Sequence, residues 1–117
     1  WLMIIEQKCN IIVMLAECVE AGKPKCHKYW PNDNMEETYG IVSVTNKEEI
    51  KYCGFTRRIL LVSAKLKDGS VLTTVTQYHF TKWPDHGVPQ TTSAIIRMHR
   101  EIMKANKDLI GQSPIVV

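Results

Sequence analysis

The sequence predicts an α/β domain built on a mixed, largely antiparallel twisted β-sheet flanked by helices. A block of β-type sequence fills the middle of the chain, a segment of helical periodicity follows it, and short apolar segments lie at both ends. Along the chain, the predicted order is helix, strand, antiparallel strands, loop, helix and strand. A length of 117 residues fits a single domain, so a second domain is not expected.

The first third of the chain predicts a short helix, a buried strand and a loop. Residues 1–7 place apolar side chains beside polar ones with the spacing of a helix end. Residues 11–15 form an unbroken apolar run rich in β-branched residues, which is typical of a parallel strand covered on both faces. Gly22 and Pro24 then mark a turn, and the polar, acidic residues 32–37 predict a surface loop.

Three strand-like runs, at residues 40–45, 58–66 and 70–80, predict a β-meander. Between the second and third runs, Asp68-Gly69 is the kind of dipeptide that supplies two positive-φ positions to a tight type I′ hairpin. These two strands are therefore expected to pair antiparallel.

The last quarter of the chain predicts a helix followed by a short strand. Over residues 92–106 the predicted apolar face of the helix consists of residues 95, 96, 98, 102 and 103, and Thr91 or Thr92 is available as the N-cap. Gly111 then ends the region before an apolar strand at residues 114–117.

Charge and hydropathy exclude several functional classes. The net charge is +3, and Lys and Arg are scattered without interleaved aromatic residues, so a nucleic-acid partner is not expected. No segment approaches the roughly 20 apolar residues that a membrane span needs, so we expect no membrane contact by this segment. The sequence carries no indication of an oligomeric state.

The cysteines predict a reducing compartment. Cys9, Cys18, Cys26 and Cys53 are irregularly spaced, with no pair two residues apart, which disfavours a zinc site. They are interpreted as reduced, buried thiols of an intracellular compartment. The expected location is the cytoplasm, as a soluble protein or as the intracellular part of a receptor-type protein.

The remaining titratable residues give no metal-binding pattern. The histidines lack ligand-type spacing and are expected at the surface or as satisfied core residues: His27, His79, His86 and His99. The acidic pairs Glu36-Glu37 and Glu48-Glu49 lie on loop-like sequence and are expected to be solvated. We therefore expect neither a metal nor another cofactor.

The most unusual stretch is Trp83-Pro84-Asp85-His86-Gly87-Val88-Pro89, which joins a predicted strand to a predicted helix. Two prolines and a glycine exclude regular structure, and Trp83 supplies a large apolar anchor. A carboxylate between such an anchor and a flexible Gly87 is arranged as in a lid that swings over a site. The same composition also fits a plain turn, in which Asp85 caps the following helix and Trp83 fills the core.

A second constellation is Lys25-Cys26-His27-Lys28-Tyr29-Trp30-Pro31. The neighbouring lysines would favour a Cys26 thiolate, and His27 is a candidate base for it. On a strand, however, sequence neighbours point to opposite faces, so Cys26 and His27 would not meet. Cys26 is therefore not expected to be a nucleophile.

Taken together, these motifs resemble the catalytic domain of the protein tyrosine phosphatase family, which uses a cysteine to hydrolyse phosphotyrosine on proteins. The resemblance runs nearly end to end. It is carried by Trp1-Leu2-Met3-Ile4 with Glu6-Gln7, by Ile12-Val13-Met14-Leu15, by Lys25-Cys26 with Tyr29-Trp30-Pro31, by Phe55 with Arg58, and by Phe80-Thr81-Lys82-Trp83-Pro84-Asp85-His86-Gly87-Val88-Pro89.

The resemblance implies a role for each matching residue. Asp85 would be the general acid that protonates the leaving phenolate and then helps to activate water. Trp83 would be the hinge of the lid, with Pro84 and Gly87 as further loop-supporting residues. Lys25 would meet the aspartate when the lid closes, and Glu20 would orient an arginine that binds phosphate. Ala21 and Pro24 depart from the family's pattern in this neighbourhood.

The resemblance also implies that the chain is an internal part of one phosphatase domain. In the family, a strand like residues 114–117 runs into a loop with the nucleophilic cysteine and, further on, an arginine. We therefore expect residues 1–117 to hold the acid without the nucleophile, to be inactive alone and to fold poorly. Phosphotyrosine-containing proteins are the expected partners. The alternatives are a phosphatase-like domain that binds phosphotyrosine without turnover, and an unrelated α/β fold with a coincidental loop.

Overall fold

The computed structural model describes residues 1–15, 19–20, 23–24, 26–67, 69–81, 93–107 and 114–117, with the backbone alone for residues 19–20 and 23–24. Its elements are, in chain order, α1 (Leu2–Glu6), β1 (Ile11–Met14), β2 (Val19–Glu20), β3 (Lys23–Pro24), β4 (Glu36–Tyr39), β5 (Val42–Lys51), β6 (Phe55–Leu66), β7 (Gly69–Phe80), α2 (Ser93–Lys107) and β8 (Ile115–Val116).

A mixed six-stranded sheet organises the described part of the chain. The strand order is β4-β5-β6-β7-β1-β8, and β2 pairs with β3 in a separate two-stranded sheet. β4 to β7 form an antiparallel meander, whereas β1 is parallel to both β7 and β8. The predicted fold class, mixed α/β with a largely antiparallel sheet, is confirmed.

β1 is the central parallel strand and is buried on both faces. All its residues are buried, and successive side chains contribute to different apolar clusters: Ile12 and Met14 to one, Ile11 and Val13 to the other. An unbroken apolar run is what a strand with two covered faces requires, so this prediction is confirmed.

The two apolar clusters define the two faces of the sheet. The α1 face packs Ile4 and Ile5 of α1, together with Trp30, against side chains such as Leu60 and Val75. The α2 face packs Ala94, Met98 and Ile102 of α2 against side chains such as Phe55 and Phe80.

The meander is longer than predicted at its first strands. Residues 36–39 form β4 instead of part of a loop, and β5 extends to Lys51. Polar side chains do not exclude a strand at the edge of a sheet, because one side of an edge strand faces solvent. Gly40, with φ +64°, lies in the two-residue connection implied by the pairing of Tyr39 with Val42.

The β6–β7 hairpin is confirmed, with a shifted turn. Leu66 pairs with Gly69, so Gly69 is the first residue of β7 and the connection is Lys67-Asp68. Gly69 has the positive φ that was expected, +127°, whereas Asp68 lies outside the described residues.

α2 presents a narrower apolar stripe than predicted. Its buried residues, Ala94, Met98 and Ile102, are spaced four apart, while Ile96 and Met103 are 47% and 43% exposed. Ala94, which does not belong to the predicted apolar face, is buried as well. The sheet contacts one ridge of the helix, so residues spaced four apart are buried. The predicted caps, Thr91 and Thr92, lie outside the described residues. Of the helices in the described ranges, none combines the length and the apolar character of a membrane-spanning helix.

Candidate active site

Most residues predicted to act in catalysis lie outside the described residues. These are Lys25, Trp83, Pro84, Asp85 and Gly87. Glu20 is in β2, where its backbone pairs antiparallel with Lys23. The described residues that lead to these segments therefore define the surroundings of the candidate site.

Three parallel strands, β7, β1 and β8, end at the same edge of the sheet. The register aligns Met14 of β1 with His79 of β7, and β8 runs parallel to β1. Leu15, Thr81 and Val117 therefore follow strand ends on the same side. In open α/β sheets, ligands bind beyond the carboxyl ends of parallel strands, so this edge is the candidate site.

A direct contact joins the two motifs. Trp30 belongs to the Tyr-Trp-Pro segment, and His79 immediately precedes the segment that begins at Phe80. Their ring centroids lie 5.4 Å apart in an edge arrangement, and the two residues are 4% and 6% exposed. This contact contradicts the interpretation in which the two motifs lie far apart in an unrelated fold.

Arg58 holds this contact in place through four neighbours. Its Nε donates to Glu49 Oε1 at 2.5 Å, and one terminal nitrogen donates to Gln77 Oε1 at 2.9 Å. The same nitrogen lies 3.2 Å from His79 Nδ1, and the guanidinium carbon lies 4.7 Å from the Trp30 ring centroid. These five residues are called the Arg58 cluster.

The sheet register explains why the cluster forms. Glu49 on β5 is opposite Arg58 on β6, and Arg58 is opposite Gln77 on β7. Directly opposed residues share a face, so three polar side chains form one row across three strands. An irregularity in the register between Asn46 and Glu48 precedes this row.

Hydrogen bonds connect the sheet to the Tyr-Trp-Pro segment. Fully buried Gln77 donates from Nε2 to Tyr29 Oη at 2.9 Å, and Asn46 Nδ2 donates to the Pro31 carbonyl at 3.1 Å. On the outer side, Trp1 Nε1 donates to the Tyr29 carbonyl at 2.8 Å. The segment that follows Lys25 in the sequence is thus bound to the core of the sheet.

The charge state of Glu49 follows from its surroundings. Burial acts to raise the pKa of its carboxyl, but the hydrogen bond and positive charge of Arg58, with a hydrogen bond from Asn46, together hold that pKa below its usual value. The side chains of Arg58 and Glu49 are 10% and 17% exposed. The sheet therefore contains an ionised, largely buried pair at neutral pH.

The chain leaves β7 from a fixed point. The backbone nitrogen and Oγ1 of Thr81 both donate to the Gly54 carbonyl, at 2.9 and 3.2 Å. Gly54 has φ +94° in the connection between β5 and β6. The segment that contains the Trp-Pro-Asp motif therefore begins two residues after an anchored position.

An apolar cavity of about 500 Å³ lies beside the candidate edge. Among the described residues, its lining is apolar and includes Ile12, Met14, Cys26, Tyr29 and Val116.

The expectation of buried cysteines is correct for Cys9 and wrong for Cys26 and Cys53, which are exposed. Cys9 and Cys53 are free thiols, and Cys18 lies outside the described residues. Cys26 is followed by an irregular segment and not by a strand, so the opposite-face argument does not apply to His27.

The described histidines lie in different environments. His27 and His99 are exposed, His79 is buried in the Arg58 cluster, and His86 is outside the described residues. Among the residues that the structure describes, no group of His, Cys, Asp and Glu side chains could hold a metal ion.

The Arg58 cluster was not predicted as a unit from the sequence. Glu49 was expected in solvent on a loop, but it lies in β5 and pairs with Arg58. A signal was present, because Arg58 and Gln77 occupy apolar-face positions of predicted strands, alongside Leu60 and Val75. Buried polar side chains at such positions need hydrogen-bond partners.

Comparison with known proteins gives a consistent result. Residues 1–117 match the family model described as protein-tyrosine phosphatase. The chain is 50% identical to tyrosine-protein phosphatase 22 of Styela plicata, 49% to phosphatase 23 and 48% to phosphatase 20, each over 117 residues and 100% of both chains. The chain therefore belongs to the protein-tyrosine phosphatase family, a family of hydrolases, and its function is that of a protein tyrosine phosphatase.

Proposed function

We propose that Asp85 is the general acid of this phosphatase and that hydrolysis of phosphotyrosine on proteins proceeds through a cysteinyl-phosphate. In this proposal, residues 1–117 are part of one catalytic domain. The nucleophilic cysteine then lies in the chain that follows Val117, as in the family pattern.

The arrangement of the strand ends carries the proposal. β7, which leads to Asp85, ends on the same side of the sheet as β1 and β8. The contact between Trp30 and His79 joins the Tyr-Trp-Pro segment to β7 within the core. This arrangement supports a site formed by three strand ends, with the acid on one loop and the nucleophile on another.

The chemistry divides into two steps. A cysteine thiolate forms a bond to phosphorus while the bond between phosphorus and the phenolic oxygen breaks, and Asp85 gives its proton to that oxygen. In the second step, the Asp85 carboxylate takes a proton from water, which attacks phosphorus and releases the thiolate. Proton donation assists because a phenolate is a poor leaving group in the loose transition state.

The remaining predicted residues support this chemistry in the proposal. Trp83, with Pro84 and Gly87, lets the loop close over the substrate and exclude water. Lys25 meets Asp85 in the closed state, and Glu20 orients the arginine that binds phosphate. Cys26 has no part in either step.

Replacement of Asp85 by Asn in the complete domain tests the acid. We expect kcat for a phosphotyrosine peptide to fall about 10²- to 10⁴-fold with KM nearly unchanged, because the proton is needed mainly in the transition state. Asp33→Asn, in an exposed turn, is the matched control and should leave kcat unchanged. An unchanged kcat in Asp85→Asn would remove Asp85 from the mechanism.

Rapid acid quench of the complete natural domain with labelled peptide tests the intermediate. Label bound to a cysteine downstream of Val117 supports the cysteinyl-phosphate. Tight binding of the peptide by the natural protein without phosphate release would instead support the phosphotyrosine-binding alternative.

We also propose that the protein acts in the cytoplasm. The exposed free thiol of Cys53 favours a reducing compartment. Fractionation of cells that produce the full-length protein tests this, and recovery of the phosphatase domain from a secreted fraction would contradict it.

A further inference from the structure

Tyr52 lies in the connection between β5 and β6, on the α2 side of the sheet. Its backbone nitrogen donates to the Phe55 carbonyl at 2.8 Å, and its ring stacks on the Phe55 ring with centroids 4.8 Å apart and planes 17° from parallel. Tyr52 is half-buried between exposed Lys51 and Cys53. Within the described part of the chain, its hydroxyl makes no hydrogen bond.

Two guanidinium groups lie over this ring. The Arg57 guanidinium carbon is 5.9 Å from the Tyr52 ring centroid, and that of Arg97 is 5.0 Å away. Arg57 belongs to β6 and Arg97 to α2, so the two cations reach the tyrosine from different elements. A cation over an aromatic face is attracted by the ring quadrupole, which holds both groups near the phenol.

Neither cation is neutralised among the described residues. No carboxylate forms an ion pair with Arg57 or Arg97, and the buried Nε of Arg57 has no acceptor. A buried guanidinium nitrogen without an acceptor is costly, because it has lost its hydrogen bonds to water. This arrangement therefore lacks an anion.

The other charged groups around the tyrosine do not supply that anion. Lys51 adds a further positive charge next to it in sequence. Glu101, one turn beyond Arg97 on α2, acts on Tyr78, whose pKa is raised by burial and by Glu101 despite the opposing effect of Arg57. Glu101 makes no hydrogen bond or ion pair with either guanidinium in the described residues.

We propose that Tyr52 is a phosphorylation site and that its phosphate is bound by Arg57 and Arg97. A phosphotyrosine carries up to two negative charges and three acceptor oxygens. They would be attached to the ring whose centroid already lies 5.0 and 5.9 Å from the two guanidinium carbons. Charge-assisted, fork-like hydrogen bonds from arginine to phosphate are stronger than the cation–π contacts that they would replace. The inference rests on this geometry and is independent of the role proposed for Asp85.

The modification needs a protein tyrosine kinase and ATP. Tyr52 Oη forms a bond to the γ-phosphorus of ATP as the bond between that phosphorus and the β,γ-bridging oxygen breaks. ADP leaves, and the phenol proton passes to the kinase base. The phosphate would then join the β5–β6 connection to β6 and α2, three parts of the α2 face.

The complete domain, treated with ATP and a recombinant tyrosine kinase in the presence of orthovanadate, provides the test. Peptide mass mapping should locate phosphate on Tyr52 and lose it in Tyr52→Phe. Tyr39→Phe is the matched control, because the Tyr39 hydroxyl is already bonded to Glu37 and its loss should leave the Tyr52 signal unchanged. No phosphate on Tyr52 would overturn the proposal.

Phosphorus NMR of the phosphorylated protein then tests the arginine contacts. The second pKa of an unperturbed phosphotyrosine is about 6, and two nearby cations should lower it by about one unit or more. Arg97→Ala, a change at an exposed position, should abolish most of this lowering of the phosphate pKa, whereas Arg100→Ala on the same helix should leave it in place. Arg57→Lys preserves the charge at the half-buried position and should lose part of the shift. A phosphate pKa equal to that of the urea-unfolded protein would overturn the proposal.

Discussion

The ion pair between Arg58 and Glu49 gives the sharpest test of how the motifs are held together. Replacing Arg58 by Met keeps an unbranched side chain against Trp30 but removes every hydrogen bond to the guanidinium. The Glu49 carboxylate, with 17% side-chain exposure, then lacks its cation, and Gln77 Oε1 lacks a donor at a fully buried position. Removing one partner of such a buried pair typically costs about 3–5 kcal/mol, which is the destabilisation we expect.

A second substitution separates charge from packing. Glu49→Gln alone should lower the free energy of unfolding by about 1–3 kcal/mol, because the hydrogen bond from Arg58 then has a neutral acceptor in place of a charged one. In the Arg58→Met background the same change removes an uncompensated carboxylate. The double variant should therefore be more stable than Arg58→Met alone, which requires a coupling energy larger than the cost of Glu49→Gln alone.

Urea unfolding of the complete domain at pH 7 measures these free energies, followed by far-UV circular dichroism and tryptophan fluorescence. Lys65→Met is the matched control, because Lys65 is an exposed cation on the same strand, and it should change stability by less than about 0.5 kcal/mol. The reasoning is refuted if the two changes add to within about 0.5 kcal/mol, as distant independent sites do.

Further predictions concern pH, packing, backbone and activity. Because the pKa of Glu49 is lowered in the folded state, its stabilising effect is complete above the ordinary glutamate pKa and is lost as pH falls through the folded value. Between pH 7 and 3, the urea midpoint of Glu49→Gln should therefore fall less than that of the natural protein. Parallel curves for the two proteins would contradict this. Met98 is 3% exposed, so Met98→Ala should lower the free energy of unfolding in urea by about 2–5 kcal/mol. Ile96→Ala, at an exposed position of the same helix, should lower it by less than about 1 kcal/mol. Equal losses would show that α2 does not pack against the sheet through Met98. Gly69→Ala should lower stability by about 1–3 kcal/mol, since φ is +127° and the space around the glycine is open, so an unchanged thermal midpoint would exclude backbone strain. Residues 1–117 expressed alone should release no phosphate from a phosphotyrosine peptide, and measurable turnover would contradict a nucleophile outside this range.

The pattern of apolar residues in the sequence predicted those strands and helices whose burial is uniform along their length. The apolar run in β1 was correctly interpreted as a strand with two covered faces, because both neighbours and both layers bury it. β4 was missed because at a sheet edge the backbone pairing with β5 decides the conformation, and local composition carries little of that information. The narrow buried stripe of α2 likewise depends on the contact with the sheet.

The candidate site was predictable where a motif is continuous in sequence. The Trp-Pro-Asp segment is recognisable without a structure. The Arg58 cluster is not, because Glu49, Arg58 and Gln77 come from three strands and meet through cross-strand register. A bulge between Asn46 and Glu48 alters the pairing that a regular strand would predict, and no local pattern in the sequence specifies that shift.

The acidic edge of the sheet has a consequence for how copies of this protein meet. β4 presents Glu36 and Glu37 at exposed positions, where Glu36 accepts a hydrogen bond from Thr45 and Glu37 accepts one from Tyr39. Two such strands brought side by side would place like charges together along an otherwise open ladder of backbone groups. Electrostatic repulsion therefore opposes pairing between the β4 edge strands of two copies, the kind of pairing that leads to fibrils.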